Sequence, residues 1–127
     1  ATSSVSAWLD VGSWEFSAGV NPENIEKVIQ LFRKEIDKFI KSPVKVDELE
    51  NSKSNLIGRM PMALESNAGL ANAILTMHRF KLGFDYYRKY AEQIRKITAA
   101  QILSAANKYL HPDQLVITSA GPGEDII

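Results

Sequence analysis

The sequence predicts an α+β domain of two layers, with helices packed on one face of an antiparallel or mixed sheet in the order ββααααα then β. Three observations predict it. The first twenty residues alternate with the period of two that belongs to strands. From Pro22 to about Leu110, apolar residues recur at threes and fours, and after a proline stop comes the β-branched run Leu115-Val116-Ile117-Thr118. Strands, then a block of helices, then a strand is the signature of segregated layers rather than of βαβ units. At 127 residues the chain is one domain or part of one, spanning 1–127, and is long enough to bury a core.

Ser3 to Leu9 alternates, with Val5, Ala7 and Leu9 on one face and Ser4, Ser6 and Trp8 on the other. Asp10-Val11-Gly12-Ser13 reads as a turn, and Trp14, Phe16, Ala18 and Val20 alternate again, so a β-hairpin is expected. Its abrupt start at Ala1 implies strand partners in sequence beyond this chain, because a lone hairpin is marginal in water. Asn21-Pro22-Glu23 then combines an N-cap residue, a proline at the first helical position and an acid in the positive first turn. The helix it starts runs to about Ile40, with Ile25, Val28, Ile29, Phe32, Ile36, Phe39 and Ile40 as one wide apolar stripe.

A second helix is expected from Val46 to about Met60, where Pro61 interrupts it. Leu49, Leu56, Ile57 and Met60 face inward, and Asp47, Glu48, Glu50 and Lys53 outward. The third begins near Met62 or Leu64 and carries Ala68, Ala71, Ile74, Leu75, His78 and Leu82 to a stop at Gly83. Asp85 caps a fourth, Tyr86 to Lys96, with Tyr87, Tyr90 and Ile94 along one side. Thr98 and Gln101 form a capping box for the fifth, whose inward positions are Ile102, Ala105, Ala106 and Tyr109. His111-Pro112-Asp113 stops it, and Gly121-Pro122-Gly123 closes the last strand.

Composition excludes several function classes. Fifteen basic residues balance fifteen acidic ones, so no polybasic field attracts nucleic acid or anionic lipid. No apolar run approaches the roughly 20 residues of a spanning helix, and the first residues lack the pattern of a signal peptide. No cysteine is present, which removes disulfides and thiolate chemistry without selecting a compartment.

Candidate chemistry is sparse. The two histidines, His78 and His111, have no partner at zinc-ligand spacing. His78 fits a packed helix position, and His111 a helix end where it meets the last carbonyls. Asp47, Glu48 and Glu50 resemble paired carboxylates, but acids in a first helical turn are accounted for by the helix dipole. Ser3, Ser4 and Ser6 have no nearby histidine to activate them. Tyr86 and Tyr87 beside Arg88 and Lys89 could stack on bases, but the neutral charge and helical register favour core contact. Glycines 58, 69, 83, 121 and 123 are too scattered for a phosphate loop.

The ordered set of motifs carries a resemblance. SVSAWLDVGSWEFSAGVNPENIEKV, VDELENSKSNLIGRMPMALES and FDYYRKYAEQIRKITAAQILSAANKYLHPDQLVITSAGP together resemble the closing part of the pitrilysin, insulinase and mitochondrial-processing-peptidase family of zinc metallopeptidases. Its carriers are Asp47-Glu48-Leu49 with Lys53, Leu64-Glu65-Ser66, Ile97-Thr98, and Lys108-Tyr109-Leu110 with Pro112-Asp113 before Gly121-Pro122.

The resemblance implies the C-terminal portion of a second, metal-free half, facing a first half that holds zinc on a His-x-x-Glu-His helix. No catalytic or metal residue carries over, and no cofactor is implied in this segment. The family's substrate-contacting tyrosine falls on Ser3, and the arginine seven residues earlier would precede Ala1. The partners implied are the zinc-bearing half, on the same chain or another, a peptide substrate, and a homo- or hetero-oligomer, with neither nucleic acid nor membrane. The function implied is a chamber wall that encloses and positions peptides for hydrolysis elsewhere. The alternative is a catalytically inactive assembly subunit of the same family.

Overall fold

A computed structural model describes residues 1–121. Among these residues the architecture is α+β, a two-stranded antiparallel sheet with five α-helices. The described residues form two compact units, one from Ala1–Ser42 with those from Leu103 on and the other from Pro43–Ile102.

The first unit opens with the hairpin of β1 (Thr2–Ala7) and β2 (Gly12–Ser17). Its register runs from Thr2 opposite Ser17 to Ala7 opposite Gly12, with Val5 opposite Trp14. The turn lies earlier than its sequence suggests. Trp8 N–H donates to the Val11 carbonyl at 2.8 Å, so Leu9 and Asp10 form the corner while Gly12 and Ser13 join the ladder. Leu9 is therefore an exposed turn residue rather than part of the strand face.

A 3₁₀ turn at Pro22–Asn24 leads into α1 (Ile25–Lys41). All seven predicted stripe residues are buried or half-buried, with Ile36 deepest. Two of them meet the hairpin. The Phe39 ring packs edge-on to Trp14 at 6.2 Å, and Phe32 lies 5.7 Å from Phe16, the centroid spacings at which aromatic pairs attract. At the other end of α1, the orphan carbonyl of Ile40 accepts from Asn107 Nδ2 at 2.8 Å.

The second unit contains α2 (Val46–Ala63), α3 (Asn67–Arg79) and α4 (Tyr86–Arg95). Pro61 does not interrupt α2 but lies inside its last turn. The ring removes only the rung to the Ile57 carbonyl, and the helix ends within three residues. There Leu64 N–H turns back to the Pro61 carbonyl at 2.9 Å. The inward row is Leu49, Lys53, Ile57 and Met60, so Lys53 lies inside and Leu56 outside, the reverse of the expectation.

The third helix differs in start, phase and stop. Ser66 is its N-cap, its hydroxyl accepting from Gly69 N–H at 3.0 Å. Its buried positions are Ala73 and Met77, flanked by the half-buried Gly69, Thr76 and Phe80. Ala68, Ala71, Ile74, Leu75 and His78, expected inside, are exposed. Gly69 gives that face its close approach to the Ala63 carbonyl, whereas larger apolar residues elsewhere on the helix misdirect a reading by hydrophobicity. The stop comes at Lys81, whose φ of 53° takes the left-handed conformation before Gly83 does.

The capping box of α5 (Ala99–Tyr109) is formed as expected: Gln101 N–H donates to Thr98 Oγ1 at 3.2 Å, and Thr98 N–H to Gln101 Oε1 at 2.9 Å. This helix begins in the second unit and continues into the first. Its buried position is Ala106, flanked by Ile102, Leu103 and Leu110, while Ala105 and Tyr109 point to solvent. Tyr109 lies instead beneath the Lys108 ammonium, 4.8 Å from the ring centre.

Leu115-Val116-Ile117-Thr118 does not form a strand among the described residues, and Val116 is 94% exposed. A strand exists only through a ladder partner, and among the described residues both strands of the hairpin pair with each other. The expected closing turn at Pro122-Gly123 lies outside the described residues. Among those residues no helix is long and apolar enough to cross a membrane.

Candidate functional site

The hairpin presents two unlike faces, because alternation sends successive side chains to opposite sides. Ser3, Val5, Ala7, Gly12, Trp14 and Phe16 share the side that carries the contacts to α1. Thr2, Ser4, Ser6, Ser13, Glu15 and Ser17 share the other, which is five hydroxyls and one carboxylate. On that side the Thr2 and Ser17 hydroxyls are 2.7 Å apart, and Ser13 Oγ donates to Glu15 Oε1 at 2.8 Å. Such a surface can donate to and accept from a peptide backbone. Its one base is the exposed Glu15 carboxylate, too weak to make an alkoxide of Ser13, and neither histidine lies on the hairpin.

Ser3 lies on the α1 side, where its Oγ accepts from Trp14 Nε1 at 2.6 Å. The bond ties β1 to the indole and leaves the hydroxyl proton to donate. Ser4 and Ser6 belong to the hydroxyl face. Sequence spacing alone separates Ser3 from its neighbours only by parity; the indole contact was not legible there.

The other candidates lie apart from the hairpin. Asp47 and Glu48 are in the first turn of α2, as the dipole argument requires. Glu50 is not paired with another carboxylate but accepts from Lys53 Nζ at 2.8 Å. Lys53 is 9% exposed and donates also to the Arg95 carbonyl at 3.2 Å, so its cation meets the negative end of α4. Sequence reasoning placed Lys53 outside. The signal that could have found it is its position four residues after Leu49 and four before Ile57. His78 is exposed in the last turn of α3, and His111 lies exposed beyond the end of α5 with its carbonyl accepting from Gln114 N–H at 2.9 Å. Among the described residues, no three of His, Asp and Glu gather as metal ligands.

Tyr86, Tyr87 and Tyr90 form a half-buried cluster with ring centres 5.2 to 6.5 Å apart. Tyr86 meets both of the others at steep angles, so the three rings do not form a flat stacking platform. Asp85 does not cap α4 through its side chain. It pairs instead with Lys89, whose hydrogen bond and charge hold the carboxyl below its usual range. Arg88 is exposed.

Burial, then the nearby Tyr90 and Tyr87, pushes the Tyr86 phenol above its ordinary value of 10.0. A raised folded-state value disfavours the phenolate in the native protein. Its contribution to stability is therefore complete below the unfolded value and lost as pH rises through the folded one. Phenolate absorbance during alkaline titration should show Tyr86 ionising late, and Tyr86→Phe should remove that late phase. A late phase that persists in Tyr86→Phe would contradict it.

Comparison with known proteins returns one family. Residues 1–56, covering the hairpin, α1 and the first part of α2, match the family model described as Peptidase M16 inactive domain. No curated protein matches the chain.

Proposed function

Because residues 1–56 match the family model described as Peptidase M16 inactive domain, we propose that the chain is a non-catalytic wall of a peptide chamber. Peptide bonds are cut at a zinc site in another half, and this segment encloses and positions the substrate. Its own residues do not fit the metal, since among those described no ligand cluster gathers.

The observation that carries the reading lies within the family match. The hairpin is fastened to α1 on one side through Trp14 and Phe16 and turns a row of hydroxyls outward on the other. A wall needs that division: a rigid back, and a front that holds backbone amides without reacting with them. Excluding water and restricting the approach of an extended peptide raises its effective concentration at the metal. The partners of this reading are the zinc-bearing half and a peptide, in a homo- or hetero-oligomer, with neither nucleic acid nor membrane.

A second reading, an inactive assembly subunit, is favoured by Ser3. The position to which the resemblance assigns a substrate-contacting tyrosine holds a short side chain already engaged by Trp14 Nε1. One experiment separates the two. A fluorogenic peptide is offered to the chain, to the zinc-bearing half encoded with it, and to their mixture. The wall reading expects no hydrolysis by the chain alone and faster hydrolysis by the mixture than by the zinc-bearing half. Complex formation with unchanged hydrolysis would support the assembly subunit, and hydrolysis by the chain alone would overturn both.

A further inference from the structure

We draw no further inference here: the strongest candidate, the exposed apolar face of α3 formed by Leu70, Ile74 and Leu75, carries none because nothing in the structure shows what covers it.

Discussion

Replacing Gly69 with alanine is expected to cost about 3 kcal/mol of folding free energy, a large effect for one methyl group on a largely exposed turn. A Cβ at this position would overlap the Ala63 carbonyl oxygen and press the Ser66 hydroxyl at 3.2 Å. The obstacle is main chain at the end of α2, which cannot rotate aside as a side chain would. Either the connection between α2 and α3 opens or the Ser66 cap is lost, and both loosen the Ala73–Met77 face. Gly58 is the matched control. It lies exposed within α2 with nothing near its missing Cβ, so Gly58→Ala should stabilise by about 0.5–1 kcal/mol by restricting the unfolded chain. Urea denaturation of both variants gives the comparison. Equal effects would mean that the helix connection does not have the close approach described.

Lys53→Ala should destabilise by about 2–3 kcal/mol, through loss of a charged hydrogen-bond donor and of the aliphatic stem packed in the inner row of α2. Lys53→Met separates those contributions. It keeps the stem and removes the buried cation, and should cost under about 1 kcal/mol, because a well-packed apolar replacement avoids the desolvation of the charge. Glu50 is 61% exposed, so Glu50→Gln should change stability by no more than about 0.5 kcal/mol. Thermal unfolding of the three variants tests the ranking. A Glu50 effect as large as that of Lys53 would show that the ion pair within α2, rather than the contact with the Arg95 carbonyl and the packing, accounts for the contribution of Lys53.

These two sites mark where the sequence was least legible. The stripe of α1 could be read residue by residue, because seven large apolar side chains at helical spacing leave one possible face. The capping box of α5 was equally plain, since Thr98 and Gln101 act locally. In α3 the apolar residues are spread around the helix, and the face that turns inward includes Gly69, whose contribution is the absence of bulk. Lys53 was misplaced because its charge says outside while its spacing says inside. The run at Leu115 to Thr118 carried strand composition, but a ladder depends on a second segment that composition does not specify. For the candidate site, the alternation of the hairpin was visible, whereas the turn at Leu9-Asp10 and the bond from Trp14 to Ser3 depend on cross-strand register.

The division of the chain also bears on the order in which its parts are made. The second unit is one uninterrupted stretch, Pro43–Ile102, so all of its contacts are in hand once that stretch has left the ribosome. The first unit is begun before it and finished after it. The Ile40 carbonyl must await Asn107, 67 residues later in synthesis, for its donor. Until then the hairpin and α1 emerge as an incomplete pair. A nascent chain of this design leaves the hairpin and α1 open until Asn107 has been made, after the whole of the second unit.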